Sequence, residues 1–198
     1  MHKLDYIDLG LIGGGEGRGD CQWGWYDYVK TTFAGQTLLD VGTGISKIKE
    51  RFTEATVTTH EESVELTADI HGSLDNVESK SFDNVTCFDV IEHVKDYGRL
   101  AYNMARISRR CVFLTTPGVD VTHQASLYHF HEFEPWEILQ LMESTGMKFK
   151  NVWSYFWDGP INFETTLNPV ALTQIVLLTR EQLLTEKFLH PTALLMTH

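Results

Sequence analysis

Two groups of residues in this chain have the types and spacing to do chemistry. The first is a glycine turn, Leu39-Asp40-Val41-Gly42-Thr43-Gly44-Ile45-Ser46, with acids downstream at Glu61, Glu62, Asp69 and Asp89. Gly42 and Gly44 let the backbone turn tightly and come close to a ligand. A helix opening behind them would aim free N–H groups at a carboxylate or phosphate. A glycine pair alone is equally an ordinary strand-to-helix turn. Acids at four strand ends, Asp40 included, shift the balance toward a polar ligand, and Glu61 or Glu62 lies at about the twenty-residue distance of a ribose-binding acid.

The second group is Asp89, Glu92 and His93, followed by His123, His129 and His131. The first three fall at i, i+3 and i+4, so one helical turn would set them on a single face. Imidazole titrates near neutral pH, and His93 could take a proton as a general base. With a further imidazole from HFHEF, the same acids could hold Mg²⁺ or Mn²⁺. An acid and a histidine after a strand also serve simply to brace a loop, which is the commoner role. Base, metal ligand and brace stay open, and His93 is the candidate catalytic residue.

These groups must be held by regular elements. TLLDVG is a short apolar run closed by a glycine, a buried strand with a turn at its carboxyl end. SKIKERF has helical spacing, TVTTH and VELTADI read as strands, and DNVTCFDV is a further strand. A helix through YGRLAYNMARIS, a strand CVFLTTPG and a helix EPWEILQLMESTG follow, the last with Pro near its start and Gly at its end. FKNVWSYFW and LTQIVLLT are long enough to pair. Alternation of strands and helices implies a mostly parallel sheet covered on both faces, with ligands beyond the carboxyl ends of its strands.

The 198 residues suit one α/β domain. A formal charge of −11 disfavours nucleic acid and anionic membranes as partners. The densest basic cluster, Arg106, Arg109 and Arg110, is small. Three cysteines without a CxxC fit a reducing compartment, and the opening MHKLDYIDLG lacks a signal-peptide core. The expected location is the cytoplasm.

LLDVGTGIS resembles the glycine motif of class I S-adenosylmethionine-dependent methyltransferases. SFDNVTCFDVIEHV is similar to their fourth strand, LTTPG to their fifth, and YHFHEFEPWEILQLMESTGMKF to the segment after it. The resemblance covers roughly residues 36–180. It implies a Rossmann-like, doubly wound, mostly parallel seven-stranded sheet in the order 3-2-1-4-5-7-6. It also implies S-adenosylmethionine as cofactor, with Gly42 and Gly44 against its methionine part beside Asp40 and Asp89. Glu61, or Glu62, would take the ribose hydroxyls, and Asp69 with Ile70 would border the adenine. Ser46 stands where the family has a third glycine. Only about four residues separate TVTTH from VELTAD, whereas a parallel crossover needs a dozen or more. The helix between strands two and three is therefore expected to be missing.

The organisation implied is a glycine-rich segment with a lid or packing helix over residues 1–35, then a methyltransferase domain over 36–198. Seven of the fifteen glycines fall in the first 24 residues. The aromatics Trp23, Trp25, Tyr26 and Tyr28 could cover the site or pack a helix. Those at Trp153, Tyr155, Phe156 and Trp157 could line an acceptor pocket or a homodimer contact. The expected activity is methyl transfer to a small-molecule acceptor, at a hydroxyl first and at nitrogen or carbon otherwise. Small-RNA 2′-O-methyltransferases offer an alternative, since their metal ligands match Asp89, Glu92, His93 and His131. A non-catalytic S-adenosylmethionine-binding protein is a second, and an NAD-dependent dehydrogenase is weakened by the missing GxGxxG spacing.

Overall fold

The computed structural model describes residues 33–44, 48–117, 129–155 and 173–179. The expectations for residues 1–32, for Ser46, His123, Phe156 and Trp157 lie outside that set. Seven strands form one sheet: β1 (Thr37–Val41), β2 (Thr56–Glu61), β3 (Ile70–His71), β4 (Phe82–Phe88), β5 (Ser108–Pro117), β6 (Lys148–Tyr155) and β7 (Thr173–Thr179). Their order is β3-β2-β1-β4-β5-β7-β6, as expected. β1 to β5 pair in parallel, and β7 runs antiparallel between β5 and β6.

β1 lies at the centre because both its faces are apolar enough to be covered. Leu38, Leu39, Asp40 and Val41 are all buried, the continuous burial expected of a strand inside a parallel sheet. Neighbouring β4 buries Asn84, Val85, Thr86 and Cys87. The register Val41↔His60 and Val41↔Cys87 brings the carboxyl ends of β1, β2 and β4 level. The strand order reverses there, between β1 and β4.

Among the described residues, three helices position the sheet. The short α1 (Ile48–Arg51) follows the glycine turn and plugs the core with Ile48 and Phe52 just beyond it. α2 (Tyr97–Ile107) begins at Asp96, whose carboxylate accepts from Arg99 N–H at 3.1 Å. Its Leu100, Ala101, Met104 and Ile107 are buried at helical spacing. Fully burying each large apolar side chain is worth about 1.5–3 kcal/mol, so α2 is anchored by that face. α3 (Pro135–Ser144) carries Pro135 in its first turn, and Glu137 reaches back to accept the Glu134 N–H at 2.8 Å. Gly146 ends it with a positive φ of 86°.

The β2–β3 link departs from the expected strand VELTADI. Residues 62–69 are irregular, and β3 is reduced to Ile70 and His71. Those two residues pair only with His60 and Glu61, the last of β2. The chain thus retreats by about two residue lengths, roughly 7 Å, and needs no crossover helix. Asp69 completes the edge: its carboxylate accepts from Thr59 N–H at 2.7 Å and Thr59 Oγ1 at 3.0 Å, while its own N–H donates to the Thr59 carbonyl. A side chain here replaces a rung of the sheet.

Candidate functional site

The glycine turn is built by the sheet beneath it. Gly42 and Thr43 donate their N–H groups to the carbonyl of His60, at 3.0 and 3.2 Å, which folds the exit of β1 over the end of β2. Gly42 has φ of 69° and Gly44 of 59°, conformations that cost other residues roughly 1–2 kcal/mol. At Gly42 a Cβ would also lie 2.6 Å from Val90 Cγ2. The close approach that the sequence assigns to a ligand is, at Gly42, made by the protein's own Val90.

Glu61 points back under this turn. It is 4% exposed, and its Oε1 accepts from Gly44 N–H at 2.5 Å. Burial pushes its carboxyl above the ordinary range, against the hydrogen bond from Gly44. Glu62 is exposed at the surface, so of the two acids Glu61 is the one brought to the turn. Asp40 lies buried one position before, with Thr86 Oγ1 donating to it at 2.7 Å. Burial raises Asp40 to about 6, opposed by the hydroxyls of Thr86 and Thr43 and assisted by the nearby Glu61.

Asp69 stands at the start of β3 and not at a strand end, because β3 is so short. Its carboxylate is taken by Thr59 and by an exposed ion pair with Lys49, and the Lys49 hydrogen bond holds it below the ordinary range. Ile70 is half-buried against the core. The segment after β3 is pinned to α2: Arg106 donates to the carbonyls of Leu74 and Val77 at 2.9 and 2.7 Å, and Arg99 pairs with Asp75. Arg109 pairs with Asp83. Arg106 and Arg109 of the densest basic cluster are thus paired within the protein.

On the other side of the switch point, Asp89 leaves β4 with φ of 51°, rarely adopted by a residue with a side chain. Thr115 at the end of β5 holds it there. Asp89 N–H donates to Thr115 Oγ1 at 3.0 Å, and Thr115 Oγ1 lies 2.9 Å from Asp89 Oδ1. The strained turn leads into a short 3₁₀ turn, Ile91–His93, instead of the helical turn the spacing suggests.

Glu92 points inward from that turn and is 1% exposed, with Oε2 within 3.5 Å of Thr116 Oγ1. Burial, reinforced by Asp89 and Glu132, pushes its carboxyl well above the carboxylate range. Its carbonyl accepts from Phe130 N–H at 2.7 Å, which clips the loop after β5 onto the 3₁₀ turn. His129 is thereby set against His93, ring centroids 4.7 Å apart.

His131, which the resemblance to small-RNA 2′-O-methyltransferases matched to a metal ligand, is elsewhere. It packs against Tyr97 and Phe133, with Nε2 3.3 Å from Glu137 Oε2. The structure therefore joins Glu92, His93 and His129, and neither Asp89 nor His131 belongs to that cluster of three. His60 is a further residue the sequence reading missed. It is buried, faces the Gly72 carbonyl through Nε2 at 2.7 Å, and burial lowers its pKa. The signal available was its place at the end of a strand otherwise read for its acids.

No protein-family model matches the sequence, and neither does any curated protein. Solved structures do. Magnesium protoporphyrin IX methyltransferase from Synechocystis, with bound S-adenosylhomocysteine, superposes with a TM-score of 0.61 at 15% identity, over 89% of this chain and 97% of that one. An S-adenosylmethionine-dependent methyltransferase from Mesorhizobium loti gives 0.61 at 13%, over 81% and 98%. The small RNA methyltransferase HEN1 gives 0.62 at 15%, over 81% of this chain but 25% of that much longer one. With the observed strand order, these likenesses define the fold as the Rossmann-like fold of class I methyltransferases.

Proposed function

We propose that this chain is an S-adenosylmethionine-dependent methyltransferase acting on a small-molecule acceptor, at a hydroxyl before nitrogen or carbon. The observation that carries the reading is the meeting of Glu61 and Gly44 at the carboxyl ends of β2 and β1, beside the switch point of the sheet. An acid at the β2 end beside a bare backbone at the β1 end suits a ligand with a ribose diol and an amino-acid arm. Glu61 takes the ribose hydroxyls, Gly44 follows the methionine part, Gly42 shapes the turn against Val90, and Asp40 supports the turn from below. Asp89 closes the site from β4, and Ile70 borders the adenine side. Asp69 acts at one remove, by holding the β2 edge.

Transfer is an in-line displacement. S-adenosylmethionine, when bound, would supply the methyl group to the acceptor oxygen and leave as S-adenosylhomocysteine, the electron pair of the broken carbon–sulfur bond staying on sulfur. The hydroxyl proton passes to His93, beside the exit of β4, or to a group that His93 holds. Alignment and exclusion of water supply most of the acceleration. The net charge of −11 and the internal pairing of Arg106 and Arg109 favour a small acceptor over RNA. The two cysteines described, Cys87 and Cys111, are buried and form no disulfide, which fits a cytoplasmic protein. No helix among the described residues is long and apolar enough to cross a membrane.

The test is turnover. Purified protein incubated with methyl-labelled S-adenosylmethionine and pooled hydroxyl, amine and carbon acceptors should yield S-adenosylhomocysteine and a labelled small product. Cofactor binding without transfer to any pool would replace this reading with a non-catalytic binding protein.

A further inference from the structure

We propose that Glu92, His93 and His129 bind one divalent metal ion of the zinc or cobalt class. The three residues each offer one donor atom, and these atoms lie within 4.8 Å of one another. Metal–ligand distances of about 2.0–2.2 Å place donors about 3–3.5 Å apart, so closure on an ion needs each to move inward by about 1 Å or less. Glu92 Oε1 is buried without a hydrogen-bond partner among the described residues and lies 3.9 Å from His93 Nε2. Buried polar atoms are nearly always satisfied. An orphaned carboxylate oxygen beside two imidazoles has the chemistry of a ligand awaiting a cation.

The surroundings agree. His129 Nδ1 faces Glu132 Oε1 at 3.2 Å, leaving its other ring nitrogen for the cluster. A ligating histidine commonly gives its second N–H to a carboxylate, which fixes the ring and strengthens the donor. The other oxygen of Glu92 faces Thr116. The hydrogen bond from Phe130 N–H to the Glu92 carbonyl holds the two parts of the site together.

Two nitrogens and one oxygen select a borderline transition metal, whereas Mg²⁺ prefers an octahedron of oxygens. Three protein ligands also leave positions for water or an acceptor hydroxyl. In the proposed methyl transfer, His93 would then hold the ion, and the acceptor's proton would leave from an oxygen made acidic by it. Metal binding itself does not depend on that activity.

The experiment is a Co²⁺ titration of the full chain after EDTA treatment, followed by visible absorption and calorimetry. Wild type and His131→Ala should each take up one Co²⁺ per chain, displaced by Zn²⁺ and not by Mg²⁺. His129→Ala and Glu92→Gln should bind at least about tenfold more weakly, with melting curves showing that each is folded. The proposal is overturned if wild type takes up no Co²⁺, if folded His129→Ala or Glu92→Gln binds like wild type, or if His131→Ala is as impaired as His129→Ala. S-adenosylhomocysteine binding to the stripped protein is measured in parallel. Failure of the metal site thus leaves the cofactor reading standing, and the reverse.

Discussion

The carboxylate of Glu61 accepts a hydrogen bond from the backbone N–H of Gly44, across 17 positions of sequence and from a different strand. An acid buried at 4% exposure beneath a glycine turn is unfavourable to stability unless it has a partner, because desolvation opposes its charge. A ribose diol would supply two hydroxyl donors at that position. Glu61→Gln keeps the shape and removes the charge, so S-adenosylhomocysteine affinity should fall about tenfold, or about 1.4 kcal/mol. Glu62→Gln should leave affinity unchanged. Equal affinities for wild type and folded Glu61→Gln would remove Glu61 from the site.

Gly42 is held by Val90 as well as by its φ. Gly42→Ala should cost about 2–4 kcal/mol, combining left-handed strain with overpacking. Val90→Ala in the same chain should recover the overpacking share and not the strain. A double-mutant cycle read by urea unfolding checks this, and additive effects would mean that the two positions do not press on each other.

Asp40 gives stability a pH dependence of definite sign. Raised to about 6 from an ordinary value of 3.8, it binds its proton more tightly folded than unfolded. Below about pH 4 both states carry the proton and the group contributes nothing. As pH rises from about 4 to 6 the fold loses stability, and above that the loss is steady at about 3 kcal/mol. Asp40→Asn can still accept from Thr86 and carries no charge. It should stabilise the domain by roughly 1–3 kcal/mol at pH 8 and leave it unchanged at pH 3.5. A destabilised variant at pH 8 would show that the ionised form is compensated by other groups.

His93 faces His129 and Glu92 and not open solvent. As a proton acceptor it should be worth about 10²- to 10⁴-fold in turnover. His93→Ala should lose that factor, retain S-adenosylhomocysteine affinity, and lose one ionisation from its pH profile if the imidazole itself is the base. Full activity of the folded variant would reduce His93 to a brace.

Most of the sheet was legible because its signals are local. Apolar runs ended by Gly or Pro-Gly marked β1 and β5, the run DNVTCFDV ending in an acid marked β4, and helical spacing with terminal Pro and Gly marked α3. The missing helix between β2 and β3 followed from chain length alone. The form of the replacement did not, since the rung formed by Asp69 with Thr59 depends on a side chain standing in for backbone. The site was half legible. Glu61 and the turn followed from strand ends, but Asp89, Glu92 and His93 were grouped by assuming a helical turn, and His131 was added from the resemblance to small-RNA methyltransferases. Thr115 holds Asp89 in a left-handed conformation, and the 3₁₀ turn that follows, with the Phe130 clip, brings His129 to the cluster in place of His131.

The central claim is that the glycine turn over Glu61 holds S-adenosylmethionine. Calorimetric titration of wild type and Gly44→Val with S-adenosylmethionine, S-adenosylhomocysteine and NAD tests it directly. Wild type should bind both sulfur nucleosides at one site per chain and not NAD. Gly44→Val, confirmed folded, should bind them at least about tenfold more weakly, a loss of about 1.4 kcal/mol or more. Preference for NAD, or undiminished affinity in the folded variant, would contradict the account.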